Sequence, residues 1–209
     1  MEEGVVVLLD SIGVREEYQR EDPQTLIKRW NAVDRKLIRL INALKAELKK
    51  RSYNSSIRIQ QPYDNIQIFL PFDKPRFDDL SNRSAPWYTV HHLGEILIPF
   101  FRYALYNRIY FRGCISTGEY FATRKRVFGP AINEAAVFCE NANWIGIMAS
   151  PNTFKVLDNP DTESWFKIFS QYPVPLNRKE SDGTTTEREE SAWVLNWKIH
   201  CRPPNYEKK

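Results

Sequence analysis

Three observations predict an α+β fold of the ferredoxin-like sandwich type. The continuous apolar run Val5–Leu9 contains β-branched residues, as is typical of a central strand covered on both faces. A long segment with apolar residues at helical spacing follows it, beginning near Asp22. Further strand-like segments are mixed with helices without strict alternation, which favours α+β over a parallel α/β sheet.

The first helix is marked at both of its ends. Asp22 can cap the free backbone amides, and Pro23 suits the first helical turn. Lysine and arginine gather from Lys49 to Arg51, where the helix dipole favours cations. Its apolar positions recur at helical spacing: Leu26, Trp30, Val33, Leu37, Leu40, Ile41, Leu44 and Leu48.

The remaining elements follow from apolar runs and the turn residues between them. We expect residues 1–209 to form one domain, with a polar, mobile hairpin or loop at Arg178–Glu190. The other predicted strands are Ser55–Gln60, Ile66–Leu70, Arg112–Tyr120, Trp144–Ala149 and Ala192–His200; the other helices are Pro86–Asn107, Gly129–Glu140 and Pro160–Gln171; and a basic hairpin tip is expected at Ala122–Val127.

Composition limits the classes of partner. The net charge of +4 suits an anionic ligand but is too small to indicate nucleic-acid binding. The three cysteines lie far apart and form no CxxC pair, which favours reduced thiols in a cytoplasmic protein. No apolar stretch reaches the roughly 20 residues of a membrane helix. We therefore expect no nucleic-acid or membrane partner.

Two carboxylates end strand-like segments. Asp10 closes the run Val5–Leu9, and Asp64 lies in a Tyr-Asp-Asn turn. A carboxylate at the end of a buried strand is costly unless it has a partner. Two of them on neighbouring strands suit a hard cation, Mg²⁺ or Mn²⁺, with a phosphate as third party. The alternatives are a strand-end turn at Asp10 and an ordinary turn aspartate at Asp64.

Four motifs in order carry a family resemblance. They are Asp10-x-x-Gly13, a Tyr-Asp hairpin at Asp64, Ser-Thr-Gly-Glu at Ser116, and G-x-x-x-N-x-A-A from Gly129. Together they resemble the class III nucleotide cyclase homology domain, the catalytic domain of adenylyl and guanylyl cyclases. The resemblance implies a βαββαβ sandwich and a head-to-tail homodimer. Metal residues and the asparagine helix of one active site then come from different subunits.

The resemblance also implies site residues. Asp10, the Ser11 carbonyl and Asp64 would hold two ions, Mn²⁺ or Mg²⁺. Asn133 would orient the ribose, and the triphosphate would lie on backbone amides around Ile12, Gly13 and Val14.

One catalytic position departs from the family pattern. Val137 stands where the family places an arginine for the transition state. Arg124 or Arg126 would have to supply this cation, with Arg124 favoured for phosphate contact. Otherwise catalysis is lost.

The positions that read the base also depart from the adenylyl cyclase pattern. They hold Gln60 and Arg126, and an arginine cannot accept a hydrogen bond from the adenine amino group. The glutamate typical of guanine recognition is missing as well. Uracil offers two carbonyl acceptors, to which Gln60, Arg126 and Tyr63 (or Tyr53) can donate. This combination resembles the bacterial pyrimidine cyclases of Pycsar antiphage defence.

The sequence thus predicts a phosphorus–oxygen lyase that converts UTP to 3′,5′-cyclic UMP and pyrophosphate. The product would be a second messenger for a separate effector protein. Alternatives are a CTP-specific enzyme, an ordinary adenylyl cyclase and a degenerate nucleotide-binding module. The adjacent His91 and His92 should point to different helix faces, so we expect no joint metal site there.

Overall fold

The computed structural model describes residues 1–13, 19–50, 56–62, 64–72, 85–157, 168–179 and 184–197. Over these residues it is a mixed α+β fold, as predicted. The strands are β1 (Glu2–Ile12), β2 (Arg58–Gln60), β3 (Asn65–Pro71), β4 (Tyr110–Ala122), β5 (Val127–Phe128), β6 (Gly146–Ala149), β7 (Phe169–Lys179) and β8 (Thr185–Leu195); the helices are α1 (Pro23–Lys50), α2 (Ala85–Tyr106), α3 (Pro130–Asn141) and α4 (Pro151–Leu157).

The strands form one sheet in the order β2-β3-β1-β4-β6-β8-β7, and β5 pairs with β4. The β4–β6 pair is parallel and the other pairs are antiparallel. β1 therefore lies inside the sheet between β3 and β4, which confirms the prediction of a central strand.

Helices cover both faces of the sheet because side chains of β1 alternate between them. Val5, Val7 and Leu9 join the core that α1 and α2 complete. Val6 joins a second core with α3 on the opposite face. The predicted start of α1 is confirmed, since Asp22 Oδ2 accepts hydrogen bonds from the amide and hydroxyl of Thr25.

A close backbone approach fixes the start of α3. Gly129, which precedes the helix, has φ 138°. A Cβ there would lie 2.8 Å from both the Glu119 carbonyl oxygen and the Tyr120 Cα, so this position requires glycine. Pro130 then occupies the first turn. The beginning of α3 is thereby held against β4.

One segment agrees with one of its two predicted alternatives, and two elements differ from the sequence-based expectation. Within Arg178–Glu190, residues 178–179 and 185–190 are strand residues at the far end of the antiparallel β7–β8 ribbon, which agrees with the predicted hairpin rather than a loop. The predicted helix Pro160–Gln171 lies mostly outside the described residues, and its last part, Phe169–Gln171, belongs to β7. Helix α4 was not predicted. No helix among the described residues has the length and apolarity needed to span a membrane.

Candidate active site

The structure brings Asp10, Ser11 and Asp64 together. Asp10 is opposite Asn65 in the β1–β3 register, so Asp64 is next to the end of β1. The Ser11 hydroxyl donates to Asp64 Oδ2 across 3.4 Å. Both carboxylates are half-buried, and Asp64 forms no ion pair within the described residues. Asp10 and Asp64 thus lie at the same end of the β1–β3 pair, and Asp64 contacts Ser11, the residue after Asp10.

Arg112 was not identified from the sequence, and it contacts this site directly. It lies opposite Asp10 in the β1–β4 register, with Nε and one terminal nitrogen each 2.8 Å from Asp10 Oδ2. Its other terminal nitrogen donates to the carbonyl oxygens of Glu140 at 3.1 Å and Ala142 at 3.4 Å. Arg112 therefore orients the Asp10 carboxylate and connects it to the end of α3.

β1 ends in a turn at Gly13. Gly13 has φ 81°, a conformation that favours glycine, and no atom of the described residues lies within 4 Å of where its Cβ would be. Backbone amides in such a turn can bind an anion. Ile12 and Gly13 lie in this turn, whereas Val14 lies outside the described residues.

Asn133 lies on the exposed face of α3, and its side chain makes no hydrogen bond within the part of the chain that the structure describes. Val137, one turn further along, is on the same face and 53% exposed. No cationic side chain replaces the expected arginine at that position. The amide of Asn133 is free to contact a ligand that approaches this face.

A hydrogen-bond network not identified from the sequence anchors the next residue, Glu134. Its carboxylate accepts hydrogen bonds from the Ser116 hydroxyl, the Ser150 hydroxyl at 3.0 Å and the Asn152 amide at 3.3 Å. Both serines are fully buried. The network ties the start of α3 to β4 and α4, and so fixes the place of Asn133.

A cleft of about 860 Å³ separates β2 from the β4–β5 hairpin. The Gln60 amide donates to the Thr123 carbonyl across it, which links a predicted base-reading residue to the hairpin. Arg126 belongs to the same hairpin but not to the lining, and Tyr63 and Tyr53 lie outside the described residues. The lining residues are Arg58, Ile59, Gln60, Gln61, Pro62, Ala122, Thr123 and Arg124.

Comparisons with known proteins identify the architecture. No protein-family model and no curated protein matches the sequence. Solved structures do match. The catalytic core of a rhodopsin-guanylyl cyclase with converted specificity, in complex with ATPαS, gives a TM-score of 0.55 at 13% identity, covering 93% of this chain and 95% of that one. The chain has the class III nucleotidyl cyclase fold.

Two further structures with this fold are similar. The guanylate cyclase domain of RhGC from Catenaria anguillulae, in complex with GTP, gives a TM-score of 0.52 at 11% identity, over 93% of this chain and 96% of that one. A bacterial light-regulated adenylyl cyclase gives 0.55 at 8% identity, over 94% of this chain and 51% of that one. At these identities the likeness establishes the fold.

Within this class III cyclase fold, Asp10 and Asn133 lie near opposite ends of α3. Arg112 holds Asp10 beside Glu140, seven residues after Asn133. At 1.5 Å per residue, the two positions are about 10 Å apart along the helix axis. Asn133 is thus about two turns of α3 away from Glu140, the residue beside which Arg112 holds Asp10.

Cys139 is buried close to Asp10. Burial, followed by the charge of Asp10, raises the pKa of Cys139 to about 12. The thiol donates to the Arg112 carbonyl at 3.6 Å. The side chain packs in the core between α3 and the sheet.

Proposed function

We propose that this protein is a metal-dependent nucleotidyl cyclase. It would convert a nucleoside triphosphate to a 3′,5′-cyclic monophosphate and pyrophosphate. The observation that supports this proposal is the placement of Asp10 and Asp64 at the same end of the β1–β3 pair, next to the Gly13 turn, within a class III cyclase fold. In the reaction, the 3′-oxygen bonds to the α-phosphorus, the bond from that phosphorus to pyrophosphate breaks, and the hydroxyl proton is released.

The donor set fits two divalent ions, Mn²⁺ or Mg²⁺. Asp10, Asp64 and the Ser11 carbonyl supply hard oxygen ligands, which these ions prefer. When bound, such ions lower the pKa of the ribose 3′-hydroxyl and neutralise the triphosphate. Arg112 contacts only Oδ2 of Asp10, which leaves Oδ1 available as a ligand.

The other residues would hold and orient the nucleotide. Amides around Ile12, Gly13 and Val14 would bind phosphate oxygens, because successive N–H groups in a turn attract anions. Asn133 would donate to the ribose. Since Val137 is apolar, the cation that stabilises the transition state must come from another residue. The exposed Arg124, which lines the cleft, is our candidate.

The active site would form between two chains in a head-to-tail homodimer. Asn133 is exposed and lies about 10 Å along α3 from Glu140, beside which Arg112 holds Asp10 of the same chain. A twofold partner that faces this helix would bring its own Asp10 and Asp64 to Asn133. Two equivalent sites per dimer result from such symmetry.

We further propose a pyrimidine substrate, UTP in preference to CTP. Gln60 and Arg124 line the cleft, and Arg126 lies two residues after Arg124 on the same hairpin, which makes these side chains our candidates for donors to the base. Uracil presents two carbonyl acceptors, whereas adenine needs an acceptor that arginine lacks. By the resemblance to Pycsar cyclases, cyclic UMP would act on a separate effector protein in antiphage defence.

A second candidate function is nucleotide binding without turnover. The exposed Val137 favours it, since the expected transition-state cation is missing from α3. One assay distinguishes a cyclase from a nucleotide-binding module. The purified protein is incubated with each of the four nucleoside triphosphates and Mn²⁺, and pyrophosphate is measured. A cyclase releases pyrophosphate from at least one of them; a binding module releases none.

Replacing Arg126 by alanine is expected to reduce the preference for UTP over ATP while turnover persists. A site that hydrogen-bonds a base edge discriminates strongly, because a wrong base leaves buried polar groups unpaired.

Arg124→Ala should instead lower turnover of every nucleotide by about 10²-fold, as expected for a lost phosphate contact.

The measurement is kcat/KM for UTP and ATP in each variant. Lys125→Ala is the matched control, because Lys125 is an exposed cation next to Arg126 on the same hairpin and we assign it no contact with the nucleotide. Equal effects of Arg126→Ala and Lys125→Ala on base preference would contradict base reading by Arg126.

A further inference from the structure

His91, His92 and Glu95 converge on the second turn of α2. One potential ligand atom from each residue lies within 4.8 Å of the others. Glu95 Oε2 is 2.9 Å from Nδ1 of His92 and 3.9 Å from Nδ1 of His91. The expectation that adjacent histidines point apart is therefore wrong for their ring nitrogens. The reason is that Glu95 lies three and four residues further along, within reach of both rings.

Packing holds both rings in place. His91 stacks on the buried Trp87 with 4.8 Å between ring centroids, and the two imidazoles meet edge to face at 5.6 Å. The side chains of His91 and His92 are only 15% and 13% exposed. Ligands with fixed rotamers lose little side-chain entropy when they bind an ion.

The hydrogen bond to Glu95 leaves one ring nitrogen unused. Nε2 of His92 is buried and has no hydrogen-bond partner among the described residues. A buried imidazole normally satisfies both nitrogens, because leaving a polar group unpaired is costly. The ligand atoms that converge are instead Nδ1 of the two partly buried imidazoles and Oε2 of the exposed Glu95, and this set of two nitrogens and one oxygen forms a candidate cation site.

We propose that His91, His92 and Glu95 bind Zn²⁺. Two nitrogen ligands and one carboxylate suit Zn²⁺ rather than Mg²⁺ or Ca²⁺, which prefer oxygen. Tetrahedral bonds of about 2.0–2.1 Å place ligand atoms about 3.3 Å apart, so small side-chain rotations close the site. The ion replaces the proton between His92 and Glu95, which is released to solvent, and water takes the fourth position.

This site is separate from the candidate active site. α2 packs on the sheet face that carries Val5 and Val7, whereas Asp10 contacts α3 on the opposite face through Arg112. Zn²⁺ here would link two consecutive turns of α2 and stabilise the folded chain by mass action. The inference does not depend on cyclase activity.

The test is Zn²⁺ titration of tag-free protein stripped with EDTA, followed by calorimetry and by the thermal unfolding midpoint. We expect one Zn²⁺ per chain and a higher midpoint with Zn²⁺. His92→Gln and Glu95→Gln should each weaken binding by at least about tenfold. The matched control His200→Gln removes the third histidine of the chain, and Asp10→Asn removes a carboxylate of the other site; both should bind as wild type.

A second measurement uses only the wild-type protein, in case a variant fails to fold. Diethyl pyrocarbonate modification of each histidine is mapped by mass spectrometry with and without Zn²⁺. Protection of His91 and His92 without protection of His200 supports the site. The proposed Zn²⁺ site would be overturned if the wild-type protein bound no Zn²⁺, or if folded His92→Gln and Glu95→Gln bound it with wild-type affinity. Equal modification of His91 and His92 with and without Zn²⁺ would also overturn it.

Discussion

Replacing either Asp10 or Asp64 by asparagine should abolish nucleotide turnover while the protein stays folded. Each change keeps the side-chain shape and removes a charge that the ions need. Loss of a metal ligand costs several kcal/mol of transition-state stabilisation, which corresponds to about 10³-fold or more in kcat/KM. Pyrophosphate release from UTP with Mn²⁺ measures the loss, and circular dichroism checks the fold.

Asp22→Asn is the matched control for these variants. Asp22 is an exposed carboxylate that caps α1, and asparagine caps a helix equally well. This variant loses the same charge and should keep wild-type turnover. Near wild-type activity in both Asp10→Asn and Asp64→Asn would refute the assignment of these two residues to the metal site.

Two inactive variants should restore activity when they are mixed. Asp10→Asn removes a proposed metal ligand, and Asn133→Ala removes the proposed hydrogen bond to the ribose. If each site takes its carboxylates from one chain and its asparagine from the other, a mixed dimer has one intact site. Random exchange of equal amounts gives about half mixed dimers, so activity should reach about a quarter of the wild-type value.

Subunit exchange has to be shown independently, for example by energy transfer between labelled chains. A mixture of Asp10→Asn with Asp64→Asn is the control, because both changes fall on the metal side of the site and every site stays damaged. If Asp10→Asn and Asn133→Ala exchange subunits but recover no activity, each site lies within one chain and the proposed homodimer is wrong.

Patterns of local sequence were sufficient for the elements that position the site. The apolar run of β1 and the capped, amphipathic α1 carry strong periodic signals, and the structure has both. The order of motifs predicted a shared metal site for Asp10 and Asp64, and this stays a prediction. The β1–β3 register places Asp10 opposite Asn65, the residue after Asp64, so both lie at the same end of this strand pair.

Contacts that depend on strand register could not be predicted from the sequence. Arg112 meets Asp10 across 102 positions of sequence, and only the β1–β4 register places them opposite each other. The same holds for Glu134, whose partners Ser116 and Ser150 come from other elements. A one-residue slip of register would move either partner to the other face of the sheet.

The β7–β8 ribbon could not be predicted in full from the sequence for a different reason. Almost every described residue from Thr184 to Glu190 is exposed, so neither face of this part of β8 is apolar. Alternation of apolar and polar residues exists only where one face is buried. A strand pair that extends beyond the core therefore has the composition of a loop, as Arg178–Glu190 does.

An equimolar mixture of the four nucleoside triphosphates, incubated with the wild-type protein and Mn²⁺, tests the proposed activity most directly. Mass spectrometry identifies the products, with the Asp64→Asn protein as the blank. We expect 3′,5′-cyclic UMP as the main product, less cyclic CMP, and pyrophosphate in equal amount to both together. Cyclic AMP or GMP alone would refute the pyrimidine assignment, and no cyclic product above the blank would contradict the cyclase itself.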